Sequence, residues 1–175
     1  MELKALQSAM RTAHVCGAPG VLVSGVVWVV AGLTWLRSDE AHAFVVLLFA
    51  GSAIVPIGLF IAQVLLRAPK PVERNPLDRL GLESTFPLFA GLLIAYALLR
   101  VSPASVFPIV AITIGARYFV FRTIYDESVY WGLGTALIAV GVSALLGLMT
   151  WPVNIAVTVG FIEIAFAVVL FVRSK

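Results

Sequence analysis

The stretch PVNIAVTVGFIEIAFAVVLFV, Pro152–Val172, carries one charge, Glu163, in an otherwise almost wholly apolar run. About 20 such residues span the hydrocarbon of a bilayer as a helix. The run lacks the alternation of a barrel strand and is about twice too long for one. In lipid every backbone group needs an internal partner, so the run reads as a membrane helix.

Working outward, five similar runs precede it: Pro19–Leu36, Ala43–Leu66, Leu82–Leu99, Val106–Tyr125 and Val129–Met149. The chain is 61% hydrophobic and 12% charged, with a mean hydropathy of +1.05. A soluble domain is about a quarter charged. The expected fold is all-α, one polytopic membrane domain over residues 1–175, a bundle of about six transmembrane helices. Val21–Leu36 followed by Ala41-His42-Ala43 has the outline of a secretory leader. The long polar lead-in and the crowding by Arg37, Asp39 and Glu40 favour retention as the first span.

Boundary residues support these spans. Asn75-Pro76-Leu77-Asp78 reads as an N-cap, a proline in the first helical position and a first-turn acid, so the third helix is expected to begin near Pro76. Trp151-Pro152 reads as a tight turn. Pro56 interrupts the second span and frees the Ser52 carbonyl.

Charge gives orientation. Lys4, Arg11, Arg67, Lys70, Arg74, Arg79, Arg117, Arg122, Arg173 and Lys175 fall on one side of the threaded chain, and only Arg37 and Arg100 on the other. The basic side is cytoplasmic by the positive-inside rule. A multi-pass protein of the inner (cytoplasmic) membrane with both termini in the cytoplasm is expected. The net charge of +3 points to anionic lipid headgroups rather than nucleic acid as partner.

Small residues recur every fourth position at Thr135, Ala139, Ser143 and Gly147 on the fifth span, and at Gly91/Ala95, Ala111/Gly115, Ala156/Gly160 and Gly58/Ala62. Such spacing lets helices approach closely. The first reading is packing within the chain; the second is a homodimer face on the fifth span.

Intramembrane ionisable groups are costly and are the natural functional candidates. Arg117 and Glu163 each lie eleven positions into their spans, roughly 16 Å deep. They are expected to pair, as a structural ion pair, as an ion-coupled site with Glu163 titrating, or with Arg117 binding an anion. Glu83, Tyr118 and Arg122 complete the ligand-binding or ion-coupling candidates. Tyr118, Phe119, Phe121, Tyr125, Tyr130 and Trp131 read first as an interfacial belt and second as an aromatic pocket wall.

Enzyme signals are weak. HExxH, GxSxG, P-loop and GxGxxG motifs do not occur. His14 and His42 fall on opposite sides, and Cys16 is the sole cysteine, so neither a shared metal site nor an intrachain disulfide is expected, and no cofactor. Asp39, Glu40 and His42 read as a solvated loop before a metal site. The expected role is transport or ligand binding, substrate unknown, with a non-catalytic scaffold or oligomeric partner as the alternative.

At GAPGVLVSG (Gly17–Gly25), NPLDRLGLESTFP (Asn75–Pro87) and GARYFVFRTIYDESVYW (Gly115–Trp131) the chain resembles an uncharacterised family of small polytopic bacterial membrane proteins. That resemblance implies a bacterial membrane protein and carries over no activity and no site residues.

Overall fold

The computed structural model describes residues 2–71, 75–149 and 153–174. Within them every regular element is helical: α1 Leu3–Ala13, α2 Ala18–Arg37, α3 Glu40–Ser52, α4 Ile54–Phe60, α5 Pro76–Glu83, α6 Thr85–Leu98, α7 Val106–Tyr125, α8 Val129–Leu145 and α9 Ile155–Arg173. Four helical stretches are long and apolar enough to cross a membrane: Val15–Arg37, Pro76–Leu98, Pro103–Tyr125 and Ile155–Arg173. The pair Glu40–Ser52 and Ile54–Leu65, bent by 42°, makes a fifth, and α8, at 17 residues, is a shorter apolar helix. The protein is thus a polytopic helical bundle.

Its surface is inverted relative to a soluble domain. Phe49, Phe86 and Leu93 are each 70% exposed or more, and α6 and the α3–α4 arm present apolar side chains outward along their length. Contiguous apolar surface of this extent is stable against lipid, not water.

The centre is built from two close antiparallel pairs, α2 with α9 and α7 with α8. A Cβ built on Gly25 would lie 2.8 Å from the Gly160 carbonyl oxygen, and one on Gly160 2.7 Å from that of Gly25. Gly115 and Gly134 repeat the arrangement at 2.8 and 2.7 Å. One register step of seven residues further, Gly32 sits against Val157 and Gly141 against Ile112. Glycine is required at these points because the backbones themselves are in contact.

Local signals explain the ends. Asn75 caps α5 by accepting from the Leu77 amide at 3.0 Å, and Pro76 opens the helix. Asn154 caps α9 through the Val157 amide (3.0 Å) and donates to the Gly32 carbonyl (2.8 Å), which ties the start of α9 to the end of α2. Asp39 caps α3 through the His42 amide at 2.9 Å. That amide, and then the His42 side chain, hold the Asp39 carboxyl below its ordinary range. The Asp39–His42 pair therefore serves the helix start. The bend between α3 and α4 falls at Ala53, directly after Ser52, whose carbonyl Pro56 cannot hydrogen-bond.

Several expectations need correction. The polar lead-in contains a helix, α1, which buries Gln7, Met10 and Ala13 and lies across one end of the bundle. The fifth span ends at Leu145 rather than Met149, and the sixth helix begins at Ile155. The Trp151-Pro152 turn, and Arg74 and Lys175 of the charge count, lie outside the described residues. Gly91/Ala95, Ala111/Gly115, Ala156/Gly160 and Gly58/Ala62 are all buried, as internal packing requires. The α8 stripe is not: Thr135, Ala139 and Gly147 are exposed and Ser143 only partly covered, because Gly134, Leu137 and Gly141, one step round the helix, face α7.

Candidate functional site

Glu163 lies midway along α9, one turn past the Gly25–Gly160 crossing, and is fully buried. Tyr118 lies one turn past the matching Gly115–Gly134 crossing and donates its hydroxyl hydrogen to Glu163 Oε1 at 2.6 Å. The close crossings thus bring a carboxyl and a phenol together between the two helix pairs. Ser24, adjacent to Gly25, lies beside both groups. Glu163 Oε2 has no hydrogen-bond partner. A buried carboxyl oxygen with no hydrogen bond of 3.5 Å or less to the protein, and with only Ser24 beside it, is costly in general and calls for an explanation.

Arg117 does not pair with Glu163. Consecutive residues on a helix point about 100° apart, so with Tyr118 turned toward α9, Arg117 is turned toward α5 and α6. Its Nε donates to Ser84 Oγ at 3.1 Å, and its guanidinium lies 5.0 Å above the Phe121 ring. The other candidates also separate. Glu83 accepts from Arg79 Nε at 2.8 Å on the surface of α5, and Arg122 reaches Asp126 at 3.9 Å. The five candidates therefore form one buried centre, Tyr118–Glu163, and three peripheral sites.

Trp131 is half exposed against Phe119, with ring centroids 4.8 Å apart, whereas the tyrosines are buried and so do not form an outward-facing belt. Tyr118, Tyr130 and Tyr125 are buried and stack in sequence with centroids 5.8 Å apart, with Phe121 edge-on to all three. The column runs from Glu163 to the end of the bundle that α1 covers. There Tyr130 donates to the Cys16 carbonyl at 2.7 Å. Val15, Cys16 and Gly17 all have positive φ, between 52° and 74°, a conformation costly for the two non-glycine residues. A Cβ on Gly17 would overlap the Tyr130 hydroxyl and lie 2.8 Å from the Tyr125 ring.

Sequence reasoning missed the polar cluster that closes this end. The Glu127 side chain is 2% exposed and lies between Arg11 of α1 (3.0 Å) and Arg173 of α9 (3.0 Å). Arg11 also donates to the Arg173 carbonyl at 3.0 Å, and Gln7 to that of Thr123 at 2.7 Å. Lys4 binds Asp126 at 2.6 Å and, first among the causes, holds that carboxyl below its ordinary range. The N-terminal helix, the α7–α8 turn and the C-terminal end of α9 thus share one end of the bundle. The one hint available was two adjacent acids, Asp126 and Glu127, in a short turn on the side that carries most of the Lys and Arg residues.

At the opposite end Trp35, Pro108, Ala144 and Asn154 line an open depression of about 450 Å³. None of the candidate residues lines it.

The described family matching this chain is a family of unknown function (DUF7010), over residues 3–173. No curated protein and no solved structure matches the chain.

Proposed function

Since the chain belongs to DUF7010, a family of unknown function, its activity has to be read from its own residues, and we propose that it is a small transport protein whose ion-coupling group is Glu163, held here in an occluded state. One observation carries the reading: the Glu163 carboxyl is fully buried at mid-helix, with one oxygen oriented by Tyr118 and the other unpartnered. A packing role would be met by an apolar side chain, often with a gain in stability. Intramembrane carboxyls in such settings mark proton or ion pathways. The ion is a proton, because protonation needs a single lone pair, whereas a dehydrated hard cation takes about six or more oxygens. The tyrosine column packs the space between the centre and the α1 end, and its rings touch by stacking rather than through a chain of hydrogen bonds, so the centre is closed on that side.

The orientation belongs to the same proposal. Read along the sequence, ten of the twelve Lys and Arg residues fall on the side of the N-terminus, and by the positive-inside rule we take that side as cytoplasmic. We place the protein in the inner membrane, with both termini in the cytoplasm.

The test is proton uptake by proteoliposomes under an imposed membrane potential, together with infrared difference spectra across a pH jump. Wild type takes up protons and shows the band of a buried carboxylic acid. E163Q keeps the volume but cannot titrate; it loses that band and about tenfold or more of the uptake, with Y118F intermediate. Equal uptake and identical spectra in wild type and E163Q overturn the proposal.

A second reading, an oligomeric scaffold, draws on the outward α8 stripe of Thr135, Ala139 and Ser143. Small residues on a lipid-facing surface allow a second copy to approach closely. A139L and S143L are then expected to convert a dimer to a monomer in detergent. Unchanged mass in both removes this reading. Gly147 is unsuited to the test because its φ of 63° makes any side chain there strained.

A further inference from the structure

We infer that Arg117 and Ser84 form a binding site for a phosphate group where α7 packs against the α5–α6 junction, on a different face of α7 from the Glu163 centre. Arg117 is a permanent cation in a span that faces hydrocarbon, and such a charge needs a counter-ion. Among the described residues no carboxylate lies within 4.0 Å of it. Of the two acids on α5, Glu83 is engaged by Arg79, and Asp78, in the first turn of that helix, makes no ion pair with Arg117. A side chain on a helix ordinarily leans toward the N-terminus. Arg117 runs the other way, lying over Phe121 one turn toward the C-terminal end of α7. It therefore reaches from eight residues inside the helix end, about 12 Å, toward the end where α1 lies, as a snorkelling arginine does.

The fork is fixed at its base. Nε is held by Ser84 Oγ, which itself donates to the Gly81 carbonyl at 2.6 Å, and Phe121 supports the guanidinium plane from one side. What is left is the two terminal nitrogens of a partly exposed side chain, in the planar arrangement that grips two phosphate oxygens. A lysine would not need the serine; a guanidinium aimed at a bidentate partner does.

The phosphate could come from an anionic phospholipid or from a free phosphate, and the experiment separates the two. The full-length protein is titrated in native mass spectra with phosphatidylglycerol and with phosphatidylcholine, and by calorimetry with inorganic phosphate. Phosphatidylglycerol binding that R117Q weakens about tenfold, the equivalent of one charge-assisted contact, establishes the site as a lipid headgroup site. Inorganic phosphate binding with the same R117Q loss establishes it as a site for a soluble phosphate. S84A and R117K keep the helix intact and should each show a partial loss, which covers the case in which R117Q fails to fold. R79Q, whose arginine is paired on the surface, serves as the unaffected control. Anion binding that is equal in wild type, R117K and S84A, or absent for both probes, overturns the inference.

Discussion

Glu127→Ala lowers the unfolding free energy by about 2 to 3 kcal/mol and releases α1 from the bundle. The range starts from the 3 to 5 kcal/mol typical of stranding a buried charge. It is lowered because the two arginines left behind are 35% and 53% exposed and rehydrate. Loss of the carboxylate removes the bridge between α1 and α9 and the acceptor for the Val129 amide at 3.3 Å. Glu127→Gln keeps the shape and one acceptor and is expected to cost about half as much. Arg11→Gln leaves Arg173 in place and costs less again. Amide hydrogen exchange is the sharper measurement, because a generally weakened bundle would lose protection everywhere. The expected pattern is fast exchange across residues 3–13 with α7 and α8 still protected. Unaltered protection of α1 in Glu127→Ala would show that Gln7, Met10 and the Lys4–Asp126 pair suffice to hold it.

That clamp could not be read from the chain. Arg11, Glu127 and Arg173 are brought together by tertiary structure alone, as are Lys4 and Asp126, 122 residues apart. α1 is strongly amphipathic, with Leu3, Leu6, Met10 and Ala13 on one face, but it is short and on average not apolar, so beside six apolar runs it reads as a polar lead-in. The spans themselves were legible because apolar length is a strong local signal; α7 runs over the expected Val106–Tyr125. The Asn75-Pro76 start was legible for the same reason, since a cap is decided by adjacent residues.

Two errors in reading the interior have one cause. Depth matching placed Arg117 and Glu163 in the same layer, and the layer was right, because Glu163 does meet α7 there. It meets the next residue, Tyr118. On α8 the four-residue stripe Thr135–Ala139–Ser143–Gly147 was taken for packing, and the packed line is Gly134–Leu137–Gly141, again one residue away. Hydropathy gives depth along a membrane helix but says little about rotation around it when nearly every face is apolar. An error of one residue is about 100° of rotation, enough to exchange interior for lipid. The seven-residue glycine spacings, Gly25/Gly32 and Gly134/Gly141, were the better guide to the facing side, since they mark where two antiparallel backbones run in register.

Alanine substitutions along those glycines should therefore split by position rather than by residue type. Gly160→Ala and Gly25→Ala each place a methyl within 2.8 Å of a backbone carbonyl oxygen that cannot rotate away. Each is expected to destabilise by about 2 to 3 kcal/mol, the upper part of the overpacking range. Gly20→Ala, on the same helix as Gly25, meets nothing within 4 Å and should be neutral or stabilise by up to about 1 kcal/mol through helix propensity. Gly134→Ala at the second crossing should behave like Gly160→Ala. The double variant Gly25→Ala/Gly160→Ala should cost less than the sum, because once one methyl has driven α2 and α9 apart the other enters an opened gap. Thermal unfolding of the five variants in one detergent is the measurement. The same displacement would move Ser24 and Glu163 relative to Tyr118, since both flank the crossing. The Tyr118–Glu163 hydrogen bond should accordingly lengthen in Gly160→Ala and leave Gly20→Ala untouched. If Gly25→Ala and Gly160→Ala prove as stable as Gly20→Ala, the backbones do not touch, and the placement of Glu163 against Tyr118 fails with them.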